Sequence, residues 1–226
     1  PAFCGSVDAI RALNEGRCHV AGFHAPWQPD SRSLVARTYK PLLKTGLHKL
    51  IGFATREQGL MVASGNPRQV QTLQDLFQPG LRFVNRSPGT GTRVLLDDLL
   101  AQAGVEAQAI RGYALNEPSH TAIAQAVAAG AADVGMGIEV AARARGLDFV
   151  PLVHERYHLA CLKASLDQPA TLALRNLLQT PEWLAQMATL PGYSPWQCGE
   201  VQAMNTVLPW WQFTRKKRTS EPRKKP

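Results

Sequence analysis

The sequence predicts an α/β fold, and three observations carry that prediction. Short apolar runs of strand character alternate with segments of helical periodicity along most of the 226 residues, a pattern of strands joined through helices into largely parallel sheets. Turns rich in glycine and hydroxyl side chains recur where a strand gives way to a helix. No run approaches the roughly 18 to 20 apolar residues that a membrane-spanning helix needs.

The longest of these turns is Phe83-Val84-Asn85-Arg86-Ser87-Pro88-Gly89-Thr90-Gly91-Thr92-Arg93. Arg82-Phe83-Val84 is strand-like, Pro88 fixes φ, and Gly89 is free to take φ > 0. Leu95, Leu96, Leu99, Leu100 and Ala103 then fall at helical spacing, with Asp97 and Asp98 on the opposite side. The loop is therefore a helix N-terminus, where unpaired N–H groups and roughly half a positive charge stand beside the hydroxyls of Ser87, Thr90 and Thr92. That combination suits a small anion. It is not a P-loop, because no Lys-Ser/Thr follows Gly91, and only Gly89-x-Gly91 of the dinucleotide fingerprint is present. The plain alternative is an ordinary strand-to-helix turn with Thr92 as N-cap.

Residues 4 to 27 repeat this logic on a smaller scale. Cys4-Gly5-Ser6 precedes a helix with Ile10 and Leu13 on one face, and Cys18 to Phe23 is a strand candidate, so Ser6 is a candidate N-cap whose hydroxyl is placed to face a ligand. His24 to Asp30 is loop, and Leu34 to Leu43 is a helix interrupted at Pro41. Leu47 to Thr55 and Gln58 to Ala63 are extended segments separated at Arg56-Glu57-Gln58-Gly59, and Val70 to Phe77 is a short helix. Gln78-Pro79-Gly80 breaks the chain and marks the expected first crossing between lobes.

Gly104 closes the central helix, and Ala109 to Tyr113 is the next strand candidate. Ser119 and His120 open an alanine-rich helix over Thr121 to Ala129, where a histidine reads first as a structural hydrogen-bonding residue. Gly135 and Gly137 occupy alternate positions of a short strand, which marks close approach of a backbone or ligand. Glu139 to Arg145 is a short helix, so Gly137 and Ile138 supply a third N-terminus. Leu147 to Val153 and Tyr157 to Leu162 are strand candidates, and helices near 169–178 and 181–189 finish the compact part.

With 45% hydrophobic and 19% charged residues, the composition is that of a soluble globular chain. No basic segment followed by an apolar one opens it, so either it was never exported or its start is missing. Cys4, Cys18, Cys161 and Cys198 form no C-x-x-C pair, which argues against zinc and favours free thiols in a reducing cytoplasm. The net charge of +8 is concentrated in residues 215–226, which contribute +6, so the body is nearly neutral. Such a tail is expected to be a solvated extension with weak, salt-sensitive attraction to nucleic acid or acidic surfaces.

The ordered series Phe83-Val84-Asn85-Arg86, Gly89-Thr90-Gly91-Thr92-Arg93, Ser119-His120, Ala132 to Ile138, Gly146 to Leu152 and Glu155-Arg156-Tyr157 resembles the periplasmic-binding-protein-like domain of bacterial and archaeal regulators. In that family the domain follows a DNA-binding helix-turn-helix or is fused to molybdopterin-biosynthesis proteins, and it is similar to type II molybdate and tungstate binding proteins. The resemblance runs from about Cys4 to Val201. It implies a two-lobed type II fold with a ligand cleft, one lobe holding residues 1–79 and 152–200, the other 80–151, with a C-terminal extension over 201–226. It places Ser6 on the ligand from the first lobe, and Thr90, Gly91, Thr92, Ser119, Gly137 and Ile138 from the second, with Arg93 and His120 as further contacts. The family's earlier strand and Gly-Ser loop are absent before Cys4, so an unpaired sheet edge is expected.

The function expected from this is sensing of a small anion, molybdate or tungstate, as the effector domain of a cytoplasmic transcriptional regulator. No cofactor is expected. DNA is reached only through a helix-turn-helix outside this chain, no membrane is involved, and there is room for a homodimer. A solute-binding protein of an oxyanion transporter is the alternative. An enzyme of molybdenum-cofactor chemistry would need a nucleophile, base or metal set, and the sequence offers only His120, Glu139 and Asp133, with no paired carboxylates; the chain is therefore expected not to be an enzyme.

Overall fold

A computed structural model of the chain describes residues 5–26 and 33–208. In chain order the elements are α1 (Ser6–Asn14), β1 (Val20–Pro26), α2 (Leu34–Tyr39), β2 (His48–Val62), β3 (Phe83–Arg86), α3 (Gly91–Gln102), β4 (Asn116–Glu117), α4 (His120–Ala128) and β5 (Val134–Ile138). Then follow α5 (Glu139–Arg143), β6 (Asp148–Leu162), α6 (Pro169–Leu178), α7 (Pro181–Ala188), β7 (Tyr193–Pro195), β8 (Val201–Gln202) and α8 (Met204–Val207). None of the described helices is long and apolar enough to cross a membrane.

The sheet runs β1-β6-β2-β5-β3-β4, with β8 and β7 also pairing on β2. Among the described strands only β3 pairs in parallel, with β4 and β5; the β1–β6, β2–β6 and β2–β5 ladders are antiparallel. The expectation of largely parallel sheets is corrected accordingly. Two 15-residue strands, β2 and β6, carry the fold and run in opposite directions along their whole length.

Their alternation explains four cores. Adjacent strand residues point to opposite faces. Leu50 of β2 and Ala160 of β6 enter the core under α1 and α2, while Ile51 and Cys161 enter the one under α6 and α7. At the other end, Leu60 and Val62 pack with α3 residues Leu95, Leu96 and Leu100, and Met61 packs with Ile123 and Val127 of α4. A strand covered on both faces needs near-continuous apolar residues at its ends. This is the two-lobed arrangement of periplasmic-binding-protein-like folds.

The middle of β2 is polar yet buried. Arg56 lies opposite Glu155 in the ladder, forms an ion pair with it, and Gln58 Nε2 donates to the second carboxylate oxygen at 3.0 Å. Arg56, Gln58 and Glu155 are all buried. This pairing lets a polar run continue as strand, so the two extended segments expected on either side of Arg56 are one, and the candidates at 147–153 and 157–162 likewise merge into β6. The strand expected over Ala109–Tyr113 is instead a 3₁₀ turn (Ala107–Ala109) and loop.

No change of core marks the expected crossing at Gln78-Pro79-Gly80. Leu73, Leu76 and Phe77 before it and Leu81 and Phe83 after it share one core with Leu60. Past residue 200, Met204, Val207 and Leu208 are packed into the core of α1 and α2, whereas the aromatic segment beyond Leu208 and the basic tail lie outside the described residues. Asp98, expected on the outer side of its helix, is buried and accepts from Leu34 N–H at 2.7 Å, tying α3 to the start of α2.

Candidate functional site

A cavity of about 520 Å³ lies between the two halves, lined by residues from Gly5 to Tyr193. Ser6, Thr90, Gly91, Thr92, Ser119, His120 and Ile138 are among its walls. Gly137 and Arg93 are not. A Cβ on Gly137 would stand 1.9 Å from Met61 Cε and 3.1 Å from His120 Nδ1, so this glycine clears space first for the Met61 side chain and then for the histidine ring. Arg93 lies over the Tyr113 ring at 4.0 Å and pairs with Asp97 at 3.1 Å.

The hydroxyls differ in what they have left to offer. Thr90, not Thr92, caps α3: its hydroxyl donates to Ser87 O at 2.8 Å and accepts from Arg93 N–H at 3.4 Å. Its single proton is thereby committed. Ser119 caps α4 by accepting from Ala122 N–H at 3.0 Å, which leaves its proton for another acceptor. Gly5 is the N-cap of α1, and Ser6, displaced by one position from the cap, sits with Oγ 3.3 Å from His24 Nδ1. Gly91 and Thr92 N–H belong to the first turn of α3, where no carbonyl within the helix can accept from them.

Five wall residues carry chemistry that the helix starts did not announce: His24, Arg56, Arg86, Tyr157 and Tyr193. Arg56 is backed by Glu155 and donates to Tyr193 Oη at 3.3 Å. Arg86 donates through one terminal nitrogen to Glu117 O at 3.0 Å, and its buried Nε has no hydrogen-bond partner among the described residues. Burial, and after it the neighbouring Arg56, lowers the pKa of Arg86. An anion would relieve both effects. His24 stacks on Tyr157 with ring centroids 4.1 Å apart. Burial first, and then Arg56, holds His24 and His120 well below the ordinary histidine value, so both are neutral at pH 7.

Among the described residues no carboxylate lines the cavity. With Arg56 offset by Glu155, Arg86 supplies about one positive charge, and the ends of α3 and α4 add roughly half a charge each. The sequence signal for Arg86 was its place at the end of the strand before the glycine turn; Arg56 and Glu155 stand in polar runs that read as breaks until their pairing across the sheet is known.

These features define a two-lobed ligand-binding domain with a donor-lined, cationic cleft. The chain belongs to the PBP superfamily: residues 1–179 match the family described as a PBP superfamily domain. It is 32% identical over 197 residues to the uncharacterized protein YvgK of Bacillus subtilis (strain 168), covering 87% of this chain and 63% of that protein, and so spans less than two thirds of that relative's length. Among solved structures it is similar in fold to the tungstate ABC transporter from Geobacter sulfurreducens, at 14% identity and a TM-score of 0.57, over 81% of this chain and 82% of that one. It is also similar to the regulatory domain of MetR, a LysR family regulator from N. meningitidis, at 15% identity and a TM-score of 0.55, over 84% and 82% of the two chains.

Proposed function

We propose that this chain binds a small tetrahedral dianion in its cleft, molybdate or tungstate in the first instance, and acts as the effector domain of a cytoplasmic transcriptional regulator. The observation that carries this is the wall formed by Arg86 and the starts of α3 and α4, with no carboxylate facing it among the described residues. Its charge of about +2 matches a dianion. Ser6, Thr92, Ser119 and the first-turn N–H groups of α3 orient the oxygens. Thr90 and Gly137 shape the site from behind, and Arg93 holds the turn after Arg86. Binding favours whichever arrangement of the lobes contacts the ligand more, and that difference in affinity is all that a DNA-binding partner can read. The work is recognition, without chemistry on the ligand.

Thermal unfolding with molybdate, tungstate, sulfate and phosphate tests this. A ligand at 100 times its Kd adds about 2.7 kcal/mol of stability, a visible rise in midpoint. Arg86→Gln is expected to cut that gain of about 2.7 kcal/mol to about 0.3–1.3 kcal/mol at the same ligand concentration, since a hydrogen bond to a charged group contributes about 1.5–3 kcal/mol. No rise with any anion in the folded wild type overturns the proposal. Solute capture for a transporter uses the same cleft; an export signal encoded upstream favours it, and a helix-turn-helix favours the regulator.

A further inference from the structure

The cleft is larger than a free oxyanion requires. A water molecule occupies about 30 Å³ in the liquid, so a five-atom oxyanion fills only a small part of the roughly 520 Å³ present. A cavity of that size falls in the range of organic-ligand pockets.

The two halves already touch on both flanks, and the cavity stays half open to solvent at its mouth, which gives the body of a ligand room to extend. On one side Val94 of α3 is packed in the core of α1 and α2, and Asp98 accepts from Leu34 N–H. On the same side, a Cβ on Gly5 would stand 3.1 Å from Gly89 O. On the other side, a Cβ on Gly192 would lie 2.8 Å from Cβ of Glu139 at the start of α5.

The two walls also differ. The wall from the second half holds Arg86 and the starts of α3 and α4. The facing wall holds Ala9, which leaves room, and the rings of His24, Tyr157 and Tyr193, with the Tyr157 ring filling the space beside Gly22. It has no net charge: Glu155 offsets Arg56, His24 is neutral, and Tyr193 accepts from Arg56, which leaves its phenolic proton to donate.

Building on the anion-binding function above, we propose that the ligand is an organic phosphomonoester. Its dianionic head sits on the Arg86 wall, and its uncharged, hydrogen-bonding body lies against Ala9, His24, Tyr157 and Tyr193. A monoester keeps the tetrahedral dianion that this wall suits, whereas a carboxylate carries one charge fewer.

Isothermal titration of the full chain with a graded series tests this: inorganic phosphate, methyl phosphate, glycerol 3-phosphate, ribose 5-phosphate and phenyl phosphate, beside molybdate. Affinity is expected to rise at least tenfold from inorganic phosphate to the best ester. Ala9→Leu, which fills the neutral side, is expected to collapse that ratio toward one; should this variant not fold, Tyr193→Phe is expected to reduce the ratio at least threefold. Esters that bind more weakly than inorganic phosphate or molybdate overturn the inference and leave anion binding standing, as does a ratio unmoved by the variant. If neither free anions nor esters bind, anion binding itself fails and the inference with it.

Discussion

At the scale of single residues, the site separates side chains that hold a turn from those able to hold a ligand. Thr90 spends its proton on Ser87 O, so Thr90→Ala is expected to cost about 1 kcal/mol of stability, the usual loss of an N-cap, and to weaken anion binding less than Arg86→Gln does. Urea denaturation and titration of both variants check the order. Gly91 sits where a Cβ would stand 3.1 Å from Ser6 Oγ and 3.3 Å from Tyr39 Oη. Gly91→Ala is therefore expected to reduce anion affinity by pressing on Ser6 and Tyr39, measured by titration; unchanged affinity would remove this junction from the site. Helix starts at Ser119 and Ile138 are legible from sequence because capping residues and glycines act locally. His24 and Tyr157 are not: they meet through the β1–β6 pairing, far apart in the chain.

At the scale of elements, β2 and β6 hold the opposite charges that make a single long ladder possible. Removing one partner leaves the other buried and unpaired, which costs about 3–5 kcal/mol. Glu155→Ala is expected to show that loss in urea denaturation, and Arg56→Met with Glu155→Leu to recover a good part of it. The ends of both strands are readable as apolar runs. Their centres are not, since a polar run such as Thr55-Arg56-Glu57-Gln58 signals a break unless its partner across the sheet is known. Ala109–Tyr113 has strand composition but forms no ladder: Arg111 O accepts one bond from Phe83 N–H of β3, and Gly112, at a φ of 96°, turns the chain there.

At the scale of the whole molecule, α/β alternation gives the class of fold, while the antiparallel arrangement depends on which strands meet. Buried histidines tie the molecule's stability to pH. His24, His120 and His158 are held below the ordinary value by burial above all, His158 down to about 3. Such a group takes up a proton near pH 6.5 when unfolded and not when folded, so stability is full above that pH and falls as pH drops below it. Each is expected to cost roughly 1 kcal/mol by pH 5.5, measured as a falling thermal midpoint between pH 7.5 and 5.5; a flat profile would mean that these rings gain protons in the folded state. The β2–β6 ladder also sets a timetable for biosynthesis. Val62 pairs with Asp148 and His48 with Leu162, partners about a hundred residues apart, a separation that slows folding. A ribosome-bound chain that ends before residue 148 has made all of β2 but none of the strand that backs it, so neither half can close its sheet, and such a chain is expected to remain protease-sensitive until β6 has emerged from the exit tunnel.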